Sequence, residues 1–91
     1  MIFEWDEAKR RRILEERRLD FASAELLFSA RGRLVDDRPA IEEEDRWKTT
    51  AWIEEGYFTV VWTWRGNAMR IISMRRAHEQ EIRKYRATYG G

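Results

Sequence analysis

The sequence has no cysteine, a single histidine, His78, and a single proline among its 91 residues. Without thiols the chain cannot form disulfides or thiolate metal sites, and one histidine excludes a His-rich zinc or copper site. No apolar run is long enough to cross a bilayer, and the N-terminal residues lack the basic and then apolar pattern of a signal peptide. We therefore expect a cytoplasmic protein that needs no metal or other cofactor and has no membrane partner.

The sequence also has no large excess of either charge, because 18 Lys and Arg residues are balanced by 17 Asp and Glu residues. A net charge of +1 argues against a protein that binds polyanions over its whole surface. The distribution is uneven, since residues 36–55 contain 3 basic and 8 acidic side chains, whereas residues 56–91 contain 7 basic and 2 acidic ones. Positive charge is therefore concentrated in the C-terminal part of the chain.

The hydrophobic periodicity predicts a single α+β domain over residues 1–91, with two N-terminal helices, an antiparallel meander and a C-terminal helix. Turn signals at Glu55-Gly56 and Arg65-Gly66 connect the three strands of the meander. The predicted segments, in chain order, are strand 2–5, helix 6–17, helix 19–29, strand 33–36, an acidic loop 37–45, strands 46–53, 57–64 and 67–75, and helix 77–89.

Two-residue turns would place Trp62 opposite Met69 and make their side of the meander the buried face, together with Ser73. The N-terminal helices cover only one face, so the opposite face is expected to be open. A one-residue bulge would reverse part of this assignment. The residues predicted on the open face are Arg46, Lys48, Thr50, Trp52, Thr59, Val61, Thr63, Arg70, Ile72 and Met74.

Such a mixture of cations, hydroxyl groups and an aromatic ring suits RNA. Arginine and lysine neutralise phosphates, and a tryptophan offers a plane on which an unstacked base can lie. We therefore predict that Arg46, Lys48 and Trp52 bind RNA. The alternative is that these side chains only solvate an exposed sheet.

A set of residues along nearly the whole chain has a recognisable order and spacing. Its members are Phe3-Glu-Trp-Asp6, Lys9, Phe21, Arg46-Trp47, Gly56, Val60-Val-Trp-Thr63, Arg65-Gly66, Arg70-Ile-Ile-Ser73, Arg75, Ala77, Glu81 and Tyr85. In these residues the chain resembles the BrnT-type toxins of bacterial type II toxin–antitoxin systems. This resemblance implies a fold like that of RelE-type ribonuclease toxins and RNA cleavage that arrests growth. It further implies a hetero-oligomer with a ribbon–helix–helix, BrnA-like antitoxin, through which alone the toxin would reach DNA.

Four places depart from the residues that this family commonly shows, among them His78, where serine or threonine is more frequent. Ile13 replaces an asparagine, Glu16-Arg17-Arg18 replaces Lys-His-Gly, and Ala51 replaces a glycine. If the absent histidine is catalytic in the family, this chain is a weakened or differently built nuclease. Two further hypotheses therefore stay open: an inactive toxin-derived module that acts only in a partner complex or in transcriptional co-repression, and a plain RNA-binding domain.

Metal-free RNA cleavage requires a deprotonated 2′-hydroxyl, a protonated leaving oxygen and stabilised charge on phosphorus. We predict that Arg70 and Arg75 clamp the scissile phosphate, because a guanidinium donates two parallel hydrogen bonds. Glu81 and His78 are the candidates for base and acid, and Tyr85 for donation to an oxygen. Each has a structural alternative: ion pairing for the arginines, a capping box for Glu81, a helix start for His78 and packing for Tyr85.

Overall fold

The computed structural model describes residues 2–29, 34–37 and 46–90 of the chain. Most of the predicted acidic loop 37–45 and the first residue of the predicted strand 33–36 lie outside these residues. None of the described helices is long and apolar enough to span a membrane. The strands and helices, in chain order, are β1 (Ile2–Trp5), α1 (Glu7–Arg17), a 3₁₀ helix (Phe21–Ser23), α2 (Ala24–Phe28), β2 (Val35–Asp37), β3 (Arg46–Ile53), β4 (Gly56–Arg65), β5 (Ala68–Arg76) and α3 (Glu79–Tyr89).

The strands form a mixed sheet in the order β1-β5-β4-β3-β2. The antiparallel meander of β3, β4 and β5 is confirmed. The expectation of an antiparallel sheet was incomplete, because β1 pairs with β5 in parallel. Short turns in the sequence indicate which neighbouring strands pair with each other. The partner of β1 lies more than sixty residues further along the chain, so no local pattern indicates that pairing.

Aspartates cap the starts of the N-terminal helices, and the second of them also links the two helices through an ion pair. Asp6 accepts a hydrogen bond from the backbone N–H of Lys9 and begins α1, as predicted. Asp20 accepts one from the backbone N–H of Ala22 and two from the Arg10 guanidinium, at 2.7 and 3.0 Å. The second predicted helix is shorter than expected, since it divides into the 3₁₀ helix and the five-residue α2.

The core lies between one face of the sheet and the N-terminal helical segments. Phe21, Ala24 and Leu27 are completely buried, and burial of a side chain such as leucine contributes about 1.5–3 kcal/mol. The residues of the core cluster are Ile13, Phe21, Ala24, Leu27, Ala51, Ile53, Phe58, Val60, Trp62, Met69, Ile71 and Met74. The N-terminal segments therefore cover one face of the sheet, as expected.

The turn between β3 and β4 lies one residue earlier than predicted. Ile53 pairs with Gly56, so the loop consists of Glu54 and Glu55, with φ of 46° and 64°. The prediction placed Gly56 in the turn because glycine adopts positive φ easily. Gly56 instead begins β4, where an added Cβ would lie 2.8 Å from the Phe58 ring. A close approach, and not a turn conformation, requires this glycine.

The turn between β4 and β5 lies one residue later than predicted, and β5 contains a β-bulge. Trp62 pairs with Ile71, although its predicted partner was two residues earlier. The next pair is Val61 with Ser73, so Ile72 is the extra residue of the bulge. The predicted register was therefore wrong by two residues as far as Ile71, and the predicted assignment of faces was wrong beyond the bulge.

The bulge exchanges the faces of several β5 side chains. Met74, predicted on the open face, is buried in the core, whereas Ser73, predicted in the core, lies on the opposite face. Arg70 and Arg75 are five residues apart, which would put them on opposite faces of a regular strand. Because of the bulge, both lie on the same face, opposite Thr63 and Thr59 respectively.

Candidate nucleic-acid interface

The face of the sheet opposite the core carries hydroxyl groups, cations and aromatic rings, and we call it the polar face. It was expected to be open, but α3 covers part of it through Glu81 and Tyr85. The face is not fully open because α3 directs Glu81 toward Thr59 and Tyr85 toward Tyr57. The polar face consists of Arg46, Lys48, Thr50, Trp52, Tyr57, Thr59, Val61, Thr63, Arg70, Ser73 and Arg75.

Glu81 is the centre of a hydrogen-bonded cluster on this face. Its carboxylate accepts bonds from both terminal nitrogens of Arg75, at 2.7 and 3.0 Å, and from the Thr59 hydroxyl at 3.0 Å. The backbone N–H of His78 donates to it at 2.7 Å, and the Lys48 ammonium lies 3.5 Å away. We call these five residues the Glu81 cluster. Two predicted site residues, Arg75 and Glu81, are thus brought into direct contact.

The cluster continues beneath the surface through a buried hydroxyl pair. The Thr50 and Thr59 hydroxyl oxygens lie 2.7 Å apart. Since Thr59 donates its proton to Glu81, Thr50 must donate to Thr59. Each polar group therefore has a partner, which limits the penalty of burial.

The surroundings of Glu81 favour its ionised form. Burial of the carboxylate opposes ionisation, but hydrogen bonds from Arg75 and the His78 N–H outweigh this effect and lower the pKa of Glu81 from 4.5 to about 2. The bond from the His78 N–H to Glu81 is also the acidic half of the predicted capping box at the start of α3. Glu81 is therefore a permanent anion at neutral pH.

Arg70 lies at the other end of the polar face and is less strongly bound. Its Nη1 is 3.5 Å from the Glu4 carboxylate of β1, which also lies 3.8 Å from Arg65. The Arg70 side chain is 31% exposed. It is not turned into the core, and its long contact with Glu4 leaves the guanidinium accessible to a further anion.

Helix α1 adds positive charge near Arg46. Burial, followed by the neighbouring charges of Arg12 and Arg46, lowers the pKa of Lys9. The prediction of site residues omitted Lys9, although its charge is felt together with those of Arg12 and Arg46. Its place in the family motif was the signal that could have identified it.

An aromatic row connects the open edge of the polar face with α3. Trp52 is 47% exposed and packs edge-on against Tyr57, with ring centroids 4.7 Å apart. Tyr57 contacts Tyr85 at 5.4 Å, and Tyr85 contacts Tyr89 at 4.9 Å. Tyr85 is buried, so packing, one of its two predicted roles, is observed. Trp52 keeps an accessible surface, as RNA stacking requires.

Arg17 is a contact residue that the sequence analysis did not assign to the site. Its Nη1 donates to the backbone oxygen of Met74 at 3.1 Å and lies 3.4 Å from the Ser73 hydroxyl. These acceptors follow directly after the bulge in β5. The position at which the family shows histidine is thus occupied by a side chain that holds the strand leading to Arg75.

Two predicted site residues, His78 and Arg46, each lie at the start of a helix or strand. His78 is exposed at the N-cap of α3, and Arg46 is half-buried at the start of β3. Among residues 2–29, 34–37 and 46–90, no group of three or more His, Asp or Glu side chains has an arrangement that could hold a metal ion. The polar face carries four cationic side chains in the described residues, Arg46, Lys48, Arg70 and Arg75.

A protein-family model matches most of the chain. The family described as ribonuclease toxin, BrnT, of type II toxin–antitoxin system matches residues 5–81. The chain belongs to the BrnT family. The match begins at Trp5, the last residue of β1, and continues through the meander to Glu81 in α3, and so covers the Glu81 cluster but not Tyr85. No curated protein matches the chain significantly. Membership of the BrnT family indicates a ribonuclease toxin with RNA as substrate and an antitoxin as partner.

Proposed function

We propose that the protein is the toxin of a type II toxin–antitoxin pair and a metal-independent endoribonuclease that binds RNA across the polar face. The observation that carries this proposal is the presence of Arg46, Lys48, Arg70 and Arg75 on one face together with half-exposed Trp52. These groups supply the phosphate contacts and the stacking surface that single-stranded RNA needs. Membership of the BrnT family supports cleavage rather than binding alone.

The two predicted clamp residues contact different phosphates in this proposal. Arg70 and Arg75 pair with Thr63 and Thr59, which are four residues apart on β4, and this spacing corresponds to roughly 13 Å at about 3.3 Å per residue. Their side chains also point to different partners, Glu4 and Glu81. We therefore assign Arg75 and Lys48 to the reacting phosphate, where two cations stabilise developing negative charge. Arg70 binds the RNA backbone at a distance from the reaction.

Proton transfer is assigned to groups other than Glu81. A carboxylate whose pKa is about 2 is a poor base at neutral pH, and its oxygens already accept four hydrogen bonds. His78 contributes only its backbone N–H to the cluster, and its imidazole can both accept and donate a proton. We propose His78 and the Tyr85 hydroxyl as the proton-transferring groups.

A cleavage assay tests the proposed activity. Wild-type protein should cleave RNA in the presence of EDTA, and the double variant Arg70→Ala/Arg75→Ala should not. The matched control is Arg83→Ala, because Arg83 is 70% exposed on α3 and pairs with Glu79 outside the polar face. This control should cleave like the wild type, and circular dichroism should show that all variants are folded. Equal RNA integrity in every sample, including one without protein, would refute nuclease activity.

We further propose that the partner is a ribbon–helix–helix, BrnA-like antitoxin that forms a hetero-oligomer with the toxin in the cytoplasm and alone contacts DNA. An acidic segment of this antitoxin would neutralise the cations of the polar face and exclude RNA. Mixing both proteins should therefore abolish cleavage. A complex in which Arg70 and Trp52 stay exposed would contradict docking at this face.

Arg17 favours a second candidate function, an inactive module that acts only in a partner complex or in co-repression. The family histidine is absent at this position, and Arg17 instead bonds to the β5 backbone. Expression without an antitoxin separates the two functions, since a nuclease arrests growth and an inert module does not. If the wild type is inert and Arg17→His arrests growth, the module is the correct assignment.

A further inference from the structure

The donors around Glu81 are the same groups that bind a phosphate. Arg75 offers the two parallel N–H groups that match either a carboxylate or a phosphate edge. The Thr59 hydroxyl, the Lys48 ammonium and the His78 N–H at the start of α3 complete the set. The strongest anion site on the polar face is therefore already filled by a side chain of the protein.

We infer that Glu81 is a built-in occupant of an RNA phosphate site, so that RNA binding at Arg75, Lys48 and Thr59 requires the Glu81 carboxylate to leave. This inference rests on the proposed function and deepens it, because it identifies an autoinhibitory contact within the same site. When the carboxylate blocks the site in most molecules, only the unblocked fraction can bind RNA. The apparent Kd is then the intrinsic Kd divided by that fraction.

The position of Glu81 in α3 allows such an exchange. Glu81 lies in the first helical turn, and only Ala77 and His78 connect this turn with the end of β5. The rest of α3 has its own contacts, through the ring of Tyr85 and through the Tyr89 hydroxyl, which bonds to the backbone oxygen of Leu34. The first turn can therefore move while the later turns stay in place.

The cluster is also reachable from solvent. The side chains of Lys48 and Arg75 are 29% and 22% exposed, whereas Glu81 is 12% exposed. A phosphate can thus contact the two cations before the carboxylate is displaced. Since an anion replaces an anion, the positive charge of Arg75 remains paired throughout the exchange.

A different role for Glu81 would be to hold Arg75 in the orientation that RNA needs. The two roles predict opposite effects of Glu81→Gln. Removal of an occupant increases affinity for RNA, because the cations become available, whereas removal of a positioning group decreases it. The sign of the change therefore decides between them.

The test compares Glu81→Gln with Glu79→Gln. Both variants remove one negative charge from the first turn of α3, but Glu79 is 80% exposed and pairs with Arg83 outside the cluster. The probe is a short single-stranded RNA with 2′-O-methyl groups, which cannot be cleaved through the 2′-hydroxyl. Glu81→Gln should bind it roughly three- to tenfold more tightly than Glu79→Gln does. Its affinity should also fall more steeply with salt, by about 0.7 in the slope of log K against log salt.

Equal or weaker binding by Glu81→Gln, relative to Glu79→Gln, would overturn the inference. If the wild type still cleaves RNA in EDTA, the proposed function stands and only the occupant role of Glu81 fails. If neither the wild type nor any variant binds the probe, the proposed function fails as well.

A second measurement uses only the wild-type protein, and so does not depend on the folding of a variant. Amide hydrogen exchange of Ile82 should become faster when the RNA probe saturates the protein, because movement of the first turn of α3 breaks the bond from the Ile82 N–H to the backbone oxygen of His78. Exchange in residues 85–89 should stay unchanged. Unchanged or slower exchange at Ile82 would overturn the inference independently of the variants.

Discussion

Replacing Glu81 by glutamine should destabilise the folded protein at neutral pH and have little effect on its stability near pH 2. The substitution keeps the size of the side chain but removes its charge. Glutamine can still accept a hydrogen bond from Thr59 or from the His78 N–H, but it no longer offers two charged oxygens to Arg75. The ionic part of the Glu81 cluster is therefore what this substitution measures.

The expected magnitude follows from the lowered pKa of Glu81. A change from 4.5 to about 2 corresponds to about 3 kcal/mol of stability, at about 1.4 kcal/mol per pKa unit. Solvent reaches Arg75 and Lys48, and glutamine retains part of the hydrogen bonding, so we expect a measured loss of about 1–3 kcal/mol. The folded-state pKa is below the unfolded value, so this stability is present above about pH 4.5. It is lost as the pH falls from about 4.5 to about 2.

Urea unfolding of the wild type and of Glu81→Gln at several pH values between about 7 and 2 measures this difference. The difference in the free energy of unfolding between the two proteins should be largest at neutral pH, decrease below about pH 4.5 and disappear near pH 2. Glu79→Gln is the matched control, because it removes a carboxylate from the same helical turn at an exposed position. A difference that does not change with pH, or an equal loss in Glu79→Gln, would refute the assignment of the charge contribution to the cluster.

Three further substitutions test the fold, each by urea unfolding at neutral pH. Leu27→Ala should lose about 2–5 kcal/mol because Leu27 is completely buried, whereas Leu26→Ala, at a half-exposed neighbour, should change stability by less than about 1 kcal/mol. The double variant Glu54→Asn/Glu55→Gly should gain about 1 kcal/mol, since both positions have positive φ; an unchanged midpoint would contradict strain in this turn. Gly56→Ala should lose about 1–3 kcal/mol, because the new Cβ would overlap an aromatic ring; a stabilised variant would show that the ring can move aside.

The sequence by itself determined the order and type of the helices and strands in the described residues. The Asp6 cap identifies α1, apolar residues at helical spacing identify the Phe21–Leu27 segment, and alternation with β-branched residues identifies β3, β4 and β5. The antiparallel meander followed from short turns, and the family from residues in a recognisable order. These properties depend on neighbouring positions in the chain, and so a linear pattern is sufficient to predict them.

Only the tertiary structure decided which charged groups meet. The β-bulge at Ile72 puts Arg75 on the same face as Arg70, and alternation along the strand gave no sign of it. The packing of α3 on this face then brings Glu81 to Arg75 and to Thr59, a residue 22 positions earlier. Whether an arginine binds a ligand or a carboxylate of its own chain depends on such distant contacts. For that reason the sequence could name Arg75 and Glu81 as candidate site residues but could not show that each is the other's partner.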